Sequence, residues 1–494
     1  MPKSEHQQGL AKTIFRNTAF VTVGGLLLKG LTFLFNVYVI RYLGDSRFGQ
    51  YSIVLGFVGL FSIFAELGMT QYAMRTIAQD RRKASELLSN LIVLRLILGV
   101  TGILGISAAG FVFGYPSQII LGIFIYTTTF LLAAFLDPFI AVLTAFERFD
   151  RVTGVTILGR LLFMLFGAGF LFLGGSYVWL VVASLVQMPF QIGLAWWSLR
   201  DEDEFHFEWE VEAREWPSLL KAGMPFGIIS LMLTIASGID TVMLSKWEPD
   251  KVVGWYNASY NLVISLTFLF YGFKTAIVPS LTRTFAEDPE TVERWYHNST
   301  RFIFYLSIPI AVGGMLVAYP LIRFLYTDQF LPSGLALQIL VWDVPLLMYS
   351  AFCGNMTTVI SEERAAARIY SINTLANVGL NLYAIPRYGL VGAALVTLVT
   401  DFIGTLQFFF FLRRLLHQPS IGWFLARVTI TSLLMGGIVW MFGGANLFLK
   451  IGVGVVVFVA LSFPMKLLDE RERVVLWDLL RRVPDLFRSS QPAN

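Results

Sequence analysis

The chain has 494 residues, of which 56% are hydrophobic and 14% charged, with a formal net charge of +4. Soluble domains carry roughly a quarter charged residues, so a soluble protein of this length is excluded by its shortage of surface charge. A single cysteine, Cys353, and four scattered histidines exclude a disulfide framework and a thiolate or histidine metal cluster. No Gly-rich loop ending in Gly-Lys-Ser/Thr is present, and the dispersed basic residues form no nucleic-acid stripe.

A helix needs about 20 mostly apolar residues to cross the hydrocarbon. In chain order, the apolar runs predict spans over 17–40, 51–73, 89–113, 118–143, 153–173, 177–199 and 220–245. They continue over 253–279, 299–319, 335–359, 369–386, 390–412, 424–442 and 447–467. These are continuous runs and not ten-residue alternating strands, so the fold class is an all-α polytopic membrane protein of about 14 transmembrane helices, and a β-barrel is excluded.

The distribution of basic residues fits that count. With the N-terminus inside, 26 of the 37 Lys and Arg residues fall on the inner side, 7 on the outer side and 4 within spans. Both termini are therefore expected in the cytoplasm, the membrane being the inner (cytoplasmic) one. The outer connections are too short to hold an extracellular domain, so function is expected between the helices.

An internal similarity divides the chain. Gly49-Gln-Tyr51 opens the second span and Gly254-Trp-Tyr256 the eighth, 205 residues later; Arg151 and Arg368 open the fifth and eleventh, 217 apart. Six helices per half make the halves parallel, two pseudo-symmetric lobes facing each other across a cleft. The expected division is an N-lobe over 1–199, a cytoplasmic acidic linker over 200–219, a C-lobe over 220–416, two additional helices over 417–467 and a cytoplasmic amphipathic tail over 468–494.

Ionisable side chains within spans cost about 2.5–3.5 kcal/mol each on insertion scales, and usually face a partner or a wet cavity. Here they are Lys29, Glu66, Arg95, Asp137, Arg160, Asp240, Lys274, Asp343 and Asp401. Asp137, Arg160, Lys274 and Asp401 have the alternative of snorkelling from near a helix end. Lys29 shares a face with Asn36, and either pairs with Glu66 or lines the cleft. Ser230, Thr234, Ser237 and Thr241 recur on one face of the seventh span, and Asn257, Asn261 and Ser265 on one face of the eighth. Asn373, Asn377 and Asn381 do the same in the eleventh, and Gln187 and Gln191 stand one turn apart in the sixth. Such residues either join helices by hydrogen bonds or line water and sugar hydroxyls.

Ordered segments along almost the whole chain carry a resemblance. Arg41-Tyr-Leu-Gly44, Phe48-Gly-Gln-Tyr51 and Phe64-Ala-Glu66-Leu-Gly68 are similar to the opening of bacterial polysaccharide flippases. Leu220-Lys-Ala-Gly-Met-Pro225, Asp240-Thr-Val-Met-Leu244, Val253-Gly-Trp-Tyr256 and Ile385-Pro-Arg-Tyr-Gly389 resemble their second half. These belong to the multidrug/oligosaccharidyl-lipid/polysaccharide exporter superfamily, together with lipid II flippases and drug exporters. The resemblance implies alternating access that moves a polyprenyl-diphosphate-linked oligosaccharide to the outer leaflet for cell-surface polysaccharide biosynthesis, with no catalytic chemistry.

The expected cleft residues are Lys29, Asn36, Glu66, Arg95, Asp240, Asn257, Asn261 and Lys274, with Lys29 as the diphosphate contact. Lipid II flippases have further arginines along the first span where this chain has Phe35 and Asn36, which favours a different glycan. No cofactor or metal is expected; the driving force is coupling to a proton, to sodium or to the membrane potential. Expected partners are the lipid-linked glycan, membrane lipids, and glycosyltransferases or a polymerase of the same pathway, with no nucleic acid. A lipid II flippase, a multidrug exporter and a membrane glycan polymerase are the alternatives.

Overall fold

The computed structural model describes residues 2–202, 205–267, 289–416 and 421–467. Lys274 and the tail 468–494 lie outside the described residues. All regular structure among the described residues is helical. In lipid no water satisfies the backbone, so each span closes its hydrogen bonds internally.

Glycine decides where the two longest helices reverse. Helix α1 (Pro2–Phe61) has 60 residues and α14 (Glu363–Leu415) has 53; straight, each would be about 80–90 Å long, near three times the hydrocarbon thickness. Neither is straight. Gly44 in α1 has φ 70°, and Gly389 in α14 has φ 50°. That left-handed region is one side chains avoid. In α14 the two arms lie side by side: Asn377 donates to Thr400 at 3.3 Å, while Asn381 and Thr397 both donate to Asp240. Each helix thus supplies two spans with no loop between them.

The other spans follow in order. The second arm of α1 continues through α2 (Ile63–Glu66) into α3 (Met69–Gln79) across a break at Leu67 and Gly68, both at positive φ. Next come α4 (Ala84–Val112), α5 (Ser117–Ala145), α6 (Phe149–Phe172) and the pair α7 (Tyr177–Val186) and α8 (Met188–Arg200). The second half has α9 (Trp216–Trp247), α10 (Asp250–Leu266), α11 (Pro289–Leu325), and α12 (Ser333–Leu340) with α13 (Asp343–Val359). Helix α14 precedes the last two, α15 (Gly422–Met441) and α16 (Leu447–Ser462). All fourteen expected spans fall on these helices, the eighth being described only as far as residue 267. Three of them bend: α1 into α2–α3 by 41°, α9 by 47° beyond Pro225, and α12 into α13 by 45°.

Large apolar side chains cover the outside. Phe172 is 85% exposed, Met441 79% and Trp440 74%, a pattern that water disfavours and lipid accepts. The protein is a multi-pass membrane protein. Its interior packing accordingly relies on small residues and polar contacts more than on the hydrophobic effect. Gly49 and Gly254 show this. A Cβ on Gly49 would lie 1.8 Å from the Asp250 carbonyl oxygen, and one on Gly254 would lie 2.1 Å from that of Asp45.

The acidic linker is strapped down. Glu202 accepts from Arg148 at 2.7 Å and Asp201 from Arg151 at 2.6 Å. Further along, Asn90 on α4 accepts from the Glu212 amide and from the Trp216 indole, both at 3.0 Å. Ser85 accepts from the Glu208 amide at 2.7 Å. The strap ties the linker to α4 and α6 and fixes where α9 begins.

Candidate functional site

A cavity of about 680 Å³ lies among α1, α5, α6, α7–α8, α9 and α10. Both arms of α1 reach it, Thr32 and Asn36 from the first and Tyr51 through Leu60 from the second. This requires the reversal at Gly44, because Thr32 and Leu60 would be roughly 40 Å apart on a straight helix. Its walls are unlike the lipid-facing surface. Asn36, Gln187, Gln191, Asn257 and Asn261 contribute amides, while Thr156, Ser184, Thr234, Ser237 and Thr241 contribute hydroxyls.

Two close contacts bracket the cavity. At one end, Gly49 meets Gly254, and reciprocal hydrogen bonds flank them: Gln50 donates to Asp250 at 2.9 Å, and the Trp255 indole donates to Asp45 at 3.1 Å. Asp45 and Asp250 are 205 residues apart, as are Gln50 and Trp255, so this contact is built by the internal repeat. At the other end, a Cβ on Gly68 would lie 2.3 Å from both the Gly223 carbonyl oxygen and the Gly227 amide nitrogen. Apart from Phe48, the cavity-lining residues of the second arm, Tyr51 to Leu60, lie in sequence between these two contacts.

Arg160 is the one charged residue lining the cavity among the described residues. It projects from α6 near Tyr51 and Tyr126 and forms no ion pair among the described residues. A Cβ on its neighbour Gly159 would lie 2.0 Å from the Gln191 amide nitrogen, which lies across it. Several amides are already committed: Asn257 accepts from Thr241 at 3.1 Å and donates to the Val253 carbonyl, and Asn261 donates to the Asn257 carbonyl. The side-chain amides of Asn36 and Gln187 make no hydrogen bond among the described residues and remain available for a ligand. The cavity therefore offers a cation, uncommitted amides and apolar faces such as Phe35 and Phe163, a surface suited to a polar anionic group bearing sugars.

The expected cleft residues are distributed among different places. Asn36, Asn257 and Asn261 line the cavity. Lys29 is exposed, on the same face of α1 as the lining residues Thr32 and Asn36 but beyond the cavity wall. Glu66 is half-buried at the α2–α3 break. Arg95 is buried and bonded at 2.5 Å to both Thr70 and Asp137, tying α4 to α3 and α5. Asp240 is buried outside the cavity. It accepts from Tyr256 at 2.7 Å, Asn381 at 2.6 Å and Thr397 at 2.8 Å, joining α9, α10 and both arms of α14. Lys274 falls outside the described residues.

The family model described as Polysaccharide biosynthesis protein matches residues 14–285, and the MatE model matches 225–383. The first of these spans more than half of the chain. The chain belongs to the polysaccharide biosynthesis protein family. A relative from Haloferax volcanii, described as the probable low-salt glycan biosynthesis flippase Agl15, is 22% identical over 490 residues, covering 95% of this chain and 99% of its own. The fold is similar to that of the lipid II flippase MurJ in an inward closed conformation, with a TM-score of 0.73 at 16% identity over 90% of this chain and 98% of that one. It is also similar to an inward-facing multidrug resistance MATE family transporter of the MOP superfamily. That likeness has a TM-score of 0.65 at 18% identity, over 80% of this chain and 96% of the other. The all-helical fold is thus like that of these transporters, over 90% of this chain in the first case and 80% in the second.

Sequence reasoning left two parts of the site unseen. From the sequence, Arg160 reads either as facing a partner or a wet cavity or as snorkelling from near a helix end. What its position on α6 faces is fixed by the return of α1 and the packing of α8. The Gln187 and Gln191 pair is visible as a polar stripe, but nothing in the sequence says that it meets Gly159.

Proposed function

We propose that this chain is a transporter that carries the headgroup of a lipid-linked glycan between leaflets, by opening the cavity alternately at its Gly49 and Gly68 ends. The observation that carries this reading is the cavity itself: one cation, Arg160, among amides and hydroxyls, with tight glycine contacts between facing helices on either side of it. The chain's family and the named glycan flippase relative support the substrate class.

The physics of the substrate requires such a cavity. A lipid diphosphate carries roughly two negative charges, and burying even one bare charge in hydrocarbon is prohibitive. In this reading Arg160 contacts the diphosphate, and Asn36, Asn257 and Asn261 meet sugar hydroxyls. Lys29, about 10 Å from Asn36 along α1, meets the headgroup at the entrance, and the polyprenyl chain stays in lipid. Glu66, Arg95 and Asp240 act on the lobes that move around the cavity.

Both termini face the cytoplasm, which makes the Gly68 end the inner one and the Gly49 end the outer one. The moving bodies are the lobes 1–199 and 220–416, joined by the linker 200–219, with 417–467 as two added helices and 468–494 as a cytoplasmic tail. Moving about two negative charges outward across 100 mV, inside negative, releases roughly 4–5 kcal/mol, enough to drive the step together with ion coupling. No covalent chemistry is required of the protein. Pathway glycosyltransferases or a polymerase supply and consume the substrate.

The test has two parts. Deleting the gene should leave one lipid-linked glycan accumulating on the inner leaflet. Purified protein in vesicles should then move that lipid, measured as headgroup accessible to a membrane-impermeant reagent. Vesicles in which accessibility matches protein-free controls would sink the reading.

A further inference from the structure

A second set of ionisable groups lies in the second half, away from the cavity. Asp343 begins α13, immediately after the 45° bend from α12, and its side chain is fully buried. Neither of its carboxyl oxygens meets a hydrogen-bond donor. The polar group within hydrogen-bonding reach is another carboxyl, that of Asp401 on the second arm of α14. No lysine, arginine or histidine among the described residues pairs with either one. The surrounding titratable groups are Asp240 on α9, Tyr260 on α10 and Tyr370 on the first arm of α14. Among the described residues α11 and α12 present none to the pair.

Asp343 is fully buried and Asp401 partly so, with no cation beside them among the described residues. Two ionised carboxylates do not stay in contact in such a setting, and two acceptors cannot hydrogen-bond to each other. One proton resolves both difficulties: it supplies the missing donor and removes one charge. We propose that Asp343 and Asp401 hold a single shared proton and form a proton site in the second half, separate from the headgroup cavity. The site joins the bend between α12 and α13 to the second arm of α14. Thr397, one turn before Asp401 on that arm, binds Asp240, and Asp240 in turn binds Tyr256 of α10, the helix that carries Gly254. Releasing the proton would separate the two carboxylates and so disturb the elements that close the Gly49 end.

The existence of the proton does not depend on the flippase reading; its link to transport does. Infrared spectra of the purified protein in vesicles test the first. The wild type should show the carbonyl stretch of a protonated carboxyl, shifted by exchange into heavy water. Asp343→Asn should remove that band, and Asp401→Asn should shift it, because the group bonded to Asp343 changes. Arg160→Gln should retain it even where transport is lost. A wild-type spectrum without such a band overturns the proposal whether or not the variants fold. So does a band that both substitutions leave unchanged, or one that sodium abolishes at constant pH, which would indicate a cation in place of the proton. If the band is present and transport in vesicles responds to an imposed pH gradient, Asp343→Asn should abolish that response. A response unchanged in Asp343→Asn would overturn the link to transport alone.

Discussion

An arginine facing a cavity in the membrane must be matched by something it binds, because leaving its charge in contact with apolar walls is costly. Arg160 has no carboxylate to neutralise it among the described residues, in contrast to Arg95, which is held by Asp137. The contrast separates a binding arginine from a structural one. A hydrogen bond to a charged group contributes about 1.5–3 kcal/mol, so Arg160→Gln should lower transport by roughly 10- to 150-fold while leaving the amount of folded protein unchanged. Arg160→Lys should recover only part of that loss, since an ammonium lacks the planar fork that fits a phosphate. Transport rates in vesicles check both. Asn90 is a residue of the other kind: buried, with its side-chain oxygen accepting from the linker amide of Glu212 and the Trp216 indole. Asn90→Ala strands those donors and should cost about 1–3 kcal/mol, seen as a lower unfolding midpoint in detergent.

At the scale of elements, the glycines set both the turns and the closures. Gly44 and Gly389 fold two long helices back on themselves, and Gly49, Gly68, Gly223, Gly227 and Gly254 let backbones meet at the two ends of the cavity. A methyl group at position 254 would lie 2.1 Å from the Asp45 carbonyl oxygen, so Gly254→Ala should destabilise the closed Gly49 end by about 1–3 kcal/mol and shift the population toward its opening by up to about two orders of magnitude. Distances between spin labels across that end would report it. A distribution identical to the wild type would mean that the contact does not govern closure. The repeat reading of the sequence bears directly on this element, since Gly49-Gln-Tyr51 and Gly254-Trp-Tyr256 are the segments that meet. That they meet each other, face to face, is a property of the assembled halves.

For the whole molecule, alternating access requires that both ends not be held shut at once throughout the cycle. The sole native cysteine, Cys353, is fully buried, so introduced cysteines can be cross-linked selectively. Cysteines replacing Gln50 and Asp250, joined by a short thiol-reactive linker, should arrest transport, and a cleavable linker should restore it after reduction. Cross-linked protein that transports at the uncross-linked rate would exclude alternation at that end. The fold class and the fourteen spans were legible in the sequence because each span must be long and apolar to exist in lipid at all, and that requirement is local. Three of the expected cleft residues, Asn36, Asn257 and Asn261, were legible as well, because a polar amide repeated along an apolar helix needs a polar surrounding wherever the helix lies. The tertiary structure alone decided which charges face the cavity. Arg95 and Asp240 are as conspicuous in the sequence as Arg160, yet one is tied to Asp137 and the other enclosed by Tyr256, Asn381 and Thr397. The sequence determined that these charges sit within the membrane. Which neighbours they meet depends on contacts between helices far apart in the chain, and no local pattern encodes those.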